Sequence, residues 1–245
     1  MTNKKVVLIT GAGREEGLGF ETARQLAVQG YTVIITARNE DRINALAAKL
    51  RQQNLDVIPY VLDVDSDQQV AEAAVMIDEK YGKLDGLINN AAIMSLENLT
   101  ITGGDLGAVN SELETNVISV WRMMKAMSPL LKKSKSPRVV NVSSGMGSYH
   151  DDAFGLLKPP MDFIPVYSLS KLLLNGLTMK AALELKQYDI LVNAVCPDFT
   201  ATYAETKEMG ARPVEEGAAG IVWGITIPDD GPSGGFFRDG KVLAW

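Results

Sequence analysis

The sequence predicts a doubly wound α/β sheet of about seven parallel strands with helices on both faces. Two observations carry this. Short apolar runs rich in β-branched residues alternate with longer helical patterns, and the first run passes through a glycine-rich turn into the first helix. The runs are Val6–Thr10, Thr32–Ala37, Val57–Leu62, Gly86–Asn89, Arg138–Ser143 and Ile190–Val195. Each is continuously apolar, so both faces need cover, which is the pattern of a parallel strand between helix layers. Helical stretches lie at Gly19–Gln29, Arg42–Gln53, Gln68–Tyr81, Ser111–Lys132 and Tyr167–Gln187. Pro129 inside the fourth predicts a kink or an end nearby, because proline removes a donor and crowds the preceding turn. Two stretches read as irregular, 145–165 and 198–213. Both follow strand C-terminal ends, where open α/β sheets bind ligands.

With 245 residues and 46% hydrophobic content, the chain can bury a sizeable core, and it reads as one domain. No internal repeat or low-complexity linker divides it. A net charge of −6 without a Lys/Arg cluster argues against a nucleic-acid partner. One cysteine, Cys196, excludes an internal disulfide and fits a reducing cytoplasm. The first residues run straight into a strand pattern with no signal-peptide segment, and no apolar run reaches the ~20 residues of a membrane span. The expectation is a cytoplasmic protein with a small-molecule substrate.

Tyr167-Ser-Leu-Ser-Lys171 carries the chemistry. Residues four apart share a helix face, so the phenol and the ammonium are neighbours. A positive charge beside a phenol favours the phenolate, and should draw its pKa from ~10 toward the working range. Ser143-Ser144, at a strand end, offers a hydroxyl to hold a carbonyl oxygen against that acid. Together they suit protonation of an alkoxide.

Thr10-Gly-Ala-Gly-Arg-Glu-Glu-Gly-Leu-Gly19 opens the first helix. Glycines let backbone N–H groups approach a pyrophosphate, and a helix N-terminus favours negative charge. The turn predicts dinucleotide binding through Gly11, Gly13, Arg14, Gly17, Leu18 and Gly19. The second strand ends without an acidic residue to accept from a ribose 2′-OH, and Arg38 follows. A guanidinium suits a 2′-phosphate, so NADP(H) is favoured over NAD(H).

In this order, several motifs resemble those of the short-chain dehydrogenases/reductases over nearly the whole chain. They are Thr10-Gly11, Leu62-Asp63-Val64, Asn89-Asn90-Ala91-Ala92, Asn116, Asn141-Val142-Ser143-Ser144, Tyr167 with Lys171, and Cys196-Pro197. The Leu84–Asn90 stretch and the C-terminal Gly235–Trp245 look most like NADPH-dependent carbonyl reductases. The resemblance implies a single Rossmann-type domain. It makes Tyr167 the general acid and Lys171 the residue that lowers its pKa and holds the nicotinamide ribose. Ser144 would orient the carbonyl, and Asn116 would hold a water linking Lys171 to solvent. Asp63 and Val64 would contact adenine, and Asn90 and Ala91 the adenosine-side ribose and backbone. The segment with Pro197, Thr200 and Thr202 would cover the nicotinamide, Thr202 binding its carboxamide.

Three departures stand out. The glycine turn is two residues longer than G-x-x-x-G-x-G when counted from Gly11, which leaves open the loop path and the reach of Arg14 to a 2′-phosphate. Ala92 replaces a glycine by one methyl. Asp198 stands where the family has glycine, a position that tolerates φ > 0 less readily. The reaction expected is reduction of a ketone or aldehyde, reversible to alcohol oxidation. A non-catalytic NADPH-binding sensor or scaffold is the alternative. An enoyl reductase would space Tyr and Lys seven apart, and a sugar-nucleotide epimerase would need a larger substrate domain. Tyr149, Phe154, Leu156, Leu157, Met161, Phe163 and Ile164 predict a medium-sized, largely uncharged substrate. The lone His150 beside Asp151 and Asp152 suggests substrate contact rather than a metal, because consecutive residues rarely converge on one ion. Cys196 reads as a small apolar packing group. The Ser-to-Tyr gap is longer than the family's, which favours a monomer over a homodimer.

Overall fold

The computed structural model describes residues 4–95, 100–158 and 164–245. Its strands are β1 (Val6–Ile9), β2 (Thr32–Ala37), β3 (Val57–Val61), β4 (Gly86–Asn89), β5 (Arg138–Val142), β6 (Leu191–Val195), β7 (Phe236–Arg238) and β8 (Lys241–Val242). They join one sheet in the order β3-β2-β1-β4-β5-β6-β7-β8. All neighbours pair parallel except β7 and β8, which form an antiparallel edge through Phe237 and Val242. The six expected strands each fall within one residue of those observed.

The helices are α1 (Leu18–Val28), α2 (Glu40–Arg51), α3 (Asp67–Tyr81), α4 (Leu106–Leu113), α5 (Ser119–Leu131), α6 (Pro165–Leu185), α7 (Ala204–Glu208) and α8 (Val214–Thr226). A π-helical turn, Glu114–Ile118, joins α4 to α5, so this helical path begins earlier than its sequence pattern suggested. Pro129 lies inside α5, which ends at Leu131. Strand side chains alternate between two cores. Val7 and Ile9 pack in the cluster that holds Leu26, Leu46 and Ile221, from α1, α2 and α8. Val6 and Leu8 pack in the cluster of Ile77, Met123 and Leu174, from α3, α5 and α6. Helices therefore cover both faces.

Helix α7, inside the 198–213 stretch read as irregular, helix α8 and the strands β7 and β8 fall outside the elements read from the pattern. Gly217, Gly220 and Gly224 weaken the helical signal of α8, since glycine disfavours helix interiors by roughly 1 kcal/mol. They serve packing instead. A Cβ on Gly224 would stand 2.7 Å from a methyl of Val140, so the absent side chain lets α8 lie close on the sheet. Tertiary burial overrides the local preference.

The chain leaves β1 toward β2 and β3, then restarts on the other side of β1 with β4. That reversal opens a crevice at the carboxyl ends of β1 and β4, where Thr10 and Asn90 meet.

Candidate active site

Thr10 and Asn90 tie the two sides of the crevice together. The Thr10 hydroxyl accepts from the N–H groups of Asn90 and Ala91 at 3.0 and 3.1 Å. The Asn90 amide donates to the carbonyls of Thr10 and Gly11 at 2.8 and 2.9 Å. Gly11 has φ +69, and a Cβ there would lie 2.6 Å from the Ala91 Cα. Only glycine meets both demands. The two extra residues of the turn, Glu15 and Glu16, are exposed, and the Gly17 N–H closes the excursion onto the Arg14 carbonyl at 3.1 Å. Gly17 then caps α1 without a side chain. Among the described residues, the first N–H groups of α1 have no side-chain acceptor, which suits an anion at the helix start.

Arg14 does not point to the end of β2. Its guanidinium donates to the Thr202 carbonyl and lies 3.5 Å from the centre of the Tyr203 ring, bridging the glycine turn to the loop after β6. Arg38 is exposed at the end of β2 and makes no hydrogen bond or ion pair among the described residues. Asp63 and Val64 follow β3. The Asp63 carboxylate accepts from the Asp65 N–H at 3.2 Å, and Val64 is buried. Glycine cradle, bare helix start and free arginine together fit a phosphorylated dinucleotide.

Tyr167 and Lys171 lie on α6, which begins with Pro165 in its first turn, where proline's fixed φ suits a helix start. One stripe of α6 docks on β5 by polar contacts at helical spacing. The Lys171 ammonium donates to the Val142 carbonyl at 2.9 Å. Asn175 accepts from the Ser143 hydroxyl at 2.6 Å and donates to the Gly147 carbonyl at 3.0 Å. The Thr178 hydroxyl accepts from Asn141 at 2.9 Å, and Asn141 accepts from Asn89 at 2.8 Å. Tyr167 continues this stripe toward the end of β5, which brings its hydroxyl under the influence of the Ser144 side chain. Ser144 itself caps a short 3₁₀ turn by accepting from the Met146 N–H at 3.2 Å. Asn175 and Thr178 were not singled out from the sequence, although their spacing beyond Lys171 was a usable signal.

Asn116 joins this group from the π-helical turn. Its side chain exchanges hydrogen bonds with the Ile93 backbone at 2.9 and 2.8 Å and donates to Ser170 at 3.0 Å. The amide is thereby committed to holding the loop after β4 against α6.

One electrostatic expectation is overturned. Burial pushes the Tyr167 phenol above its ordinary value, with Cys196 and Glu112 acting in the same direction and Ser144 opposing. The Lys171 ammonium, 5.4 Å from the ring centre, does not offset this. Burial also brings Lys171 down to about 8, while Cys196 and Glu112 act to raise it. Desolvation outweighs the pairing that sequence spacing alone made visible.

Past β6, Asp198 adopts φ +62, the conformation anticipated as a difficulty for a non-glycine residue. The Thr200 hydroxyl turns back to the Pro197 carbonyl at 2.7 Å, whereas Thr202 stays half-buried near Arg14. Cys196 is buried but is not merely apolar packing: its sulfur accepts from the N–H groups of Gly145 and Asp198 at 3.2 and 3.3 Å. In the 145–158 stretch, Tyr149, His150 and Leu157 are exposed and Phe154 lies under Arg238. Ile164 is buried, and Met161 and Phe163 lie outside the described residues. No helix among the described residues is long and apolar enough to cross a membrane.

Fold and site define a dinucleotide-binding α/β protein with a Tyr–Lys–Ser group at the carboxyl end of β5, one strand from the crevice. The chain belongs to the short chain dehydrogenase family, whose model matches residues 5–212, and is an oxidoreductase of that family. It is 33% identical to the short-chain dehydrogenase anuI of Penicillium roqueforti, over 93% of this chain and 95% of that one. It is also 33% identical to (+)-neomenthol dehydrogenase of Arabidopsis thaliana, over 97% of both. Among solved structures, the NADPH-bound carbonyl reductase from chicken fatty liver superposes with TM-score 0.84 at 26% identity, covering all of both chains.

Proposed function

We propose that this protein is an NADPH-dependent carbonyl reductase acting on a medium-sized, largely uncharged ketone or aldehyde. The observation that carries it is the Tyr167 hydroxyl, close enough to Ser144 to feel its hydroxyl, followed one turn later by a buried Lys171. Binding alone needs no such acid. The glycine turn and the start of α1 would hold the pyrophosphate, Arg38 the 2′-phosphate, and Lys171 the nicotinamide ribose. The bound dinucleotide supplies the hydride. Ser144 orients the carbonyl oxygen, and Tyr167 delivers the proton as that oxygen becomes an alkoxide. A phenol held protonated by burial is ready for this direction, because an alkoxide is a far stronger base than a phenolate. Transfer stays downhill. The likeness to a dehydrogenase of neomenthol supports a substrate without charge.

The test is consumption of NADPH and of NADH against ketones, aldehydes, diketones and quinones, with Tyr167→Phe alongside. The expected result is turnover with NADPH and poor use of NADH. Tyr167→Phe should lose turnover by roughly 10²–10⁴-fold while keeping NADPH affinity. Unchanged turnover in that variant overturns the assignment of Tyr167. Tight NADPH binding without turnover of any carbonyl would support the sensor or scaffold reading instead.

A further inference from the structure

One charged cluster lies behind Ser144, outside the Tyr–Lys–Ser group. Arg238, from β7, sends its guanidinium to two segments, the 145–158 loop and the stretch after β6. It pairs with Asp151, a carboxylate that is 2% exposed as a residue and belongs to the 145–158 loop. Its Nε lies 3.6 Å from Asp198 Oδ1, in the loop after β6. It also donates to the Cys196 sulfur at 3.4 Å, and its cationic centre sits 5.5 Å from the middle of the Phe154 ring. The Nε has no hydrogen-bond acceptor among the described residues, so its pairing with Asp198 is electrostatic.

Each contacted segment is tied in turn to the site. Asp151 accepts from the N–H groups of Ala153 and Phe154 at 2.8 and 2.9 Å, which shapes the loop beside the substrate. The Cys196 sulfur gathers the N–H groups of Gly145, next to Ser144, and of Asp198. The Asp198 loop continues to Thr202, which receives Arg14 from the glycine turn. Asp198 is left-handed at φ +62, a conformation that a non-glycine residue keeps only when its surroundings hold it there. Against it lie the Cys196 sulfur, which accepts from the Asp198 N–H at 3.3 Å, and the Arg238 charge, 3.6 Å from the Asp198 carboxylate.

We propose that Arg238 is a positioning residue, which sets the substrate-side loop through Asp151 and the dinucleotide-side loop through Asp198 at one fixed separation behind Ser144. This rests on the proposed carbonyl reduction for its substrate arm only. A guanidinium can serve two carboxylates and a sulfur at once because it carries several donors in one rigid plane.

The experiment separates the two arms. Removing Arg238 alone would strand a buried Asp151 charge and risk unfolding, so Arg238→Gln is combined with Asp151→Asn. Dissociation constants are read from the fluorescence of whichever dinucleotide, NADPH or NADH, the wild type binds more tightly. KM, kcat and thermal midpoint are measured beside them. The paired variant should weaken dinucleotide binding and raise the carbonyl KM, each about tenfold, about 1.4 kcal/mol. Adding Asp198→Gly should restore dinucleotide affinity, since glycine adopts the left-handed turn without help, and leave KM high. Asp151→Asn alone should raise KM with dinucleotide affinity unchanged.

Unchanged constants in the paired variant overturn the proposal. So does a loss that tracks the thermal midpoint and is not rescued by Asp198→Gly, because that is what a purely structural role predicts. If the wild type turns over no carbonyl, the functional reading fails. The dinucleotide arm still decides this proposal.

Discussion

Replacing Lys171 by Met should stabilise the dinucleotide-free protein while removing its activity. Lys171 is 2% exposed, and burial brings its pKa from 10.5 to about 8. A drop of that size corresponds to about 3 kcal/mol of penalty for keeping the ammonium charged in the fold. The unfolded chain holds this proton up to pH ~10.5, whereas the folded chain releases it near 8. Between those values the unfolded state binds more protons, so stability rises with pH across that window, and below it the full penalty remains. Met removes the charge but also leaves the Val142 carbonyl without its donor, which offsets about 1 kcal/mol. The net gain at pH 7 is about 2 kcal/mol, or a rise of roughly 4–8 °C in Tm for a chain of this size. Thermal unfolding of both proteins without dinucleotide, from pH 6 to pH 10, measures it. The difference should be greatest at pH 7 and shrink or reverse by pH 10. A variant less stable at pH 7, or a difference independent of pH, would refute the assignment of desolvation as the dominant influence on Lys171.

Three further outcomes are expected. Arg38→Asp should weaken NADPH binding by about 2–3 kcal/mol relative to NADH, because it replaces a charge-assisted phosphate contact with repulsion; paired binding titrations check this. Gly11→Ala should cost about 2–4 kcal/mol and lower dinucleotide affinity, since the added methyl meets Ala91 and φ +69 is strained for alanine; denaturant unfolding reads the loss. Asn175→Ala should leave the Ser143 hydroxyl and the Gly147 carbonyl buried without their partner, destabilising by about 2–4 kcal/mol. Its kcat should fall as well, because α6 then docks less firmly on β5 and Tyr167 loses its register with Ser144.

The sheet's buried strands and the spacing on α6 were legible locally. Strand cores such as Val33–Ile35 are too apolar for any place but the middle of a covered sheet, and Tyr167 and Lys171 lie one turn apart by helical geometry alone. The anticipated strain at Asp198 was legible because it depends on one residue's backbone. What depends on burial or on distant partners was not. The direction of the Tyr167 shift reversed because desolvation is a property of the packed site, not of a four-residue spacing. Helix α8 was hidden by glycines whose value lies in contact with Val140 of β5. Cys196 changed from an apolar packing group to an acceptor because Gly145, Asp198 and Arg238 converge on it from three segments. Sequence determined the sheet, the glycine turn and the shared helix face of Tyr167 and Lys171, since each rests on short-range sterics and periodicity. Only the tertiary structure decided the charges around Tyr167 and the convergence of two loops on Arg238, since Coulomb and desolvation energies depend on distances the chain acquires by folding.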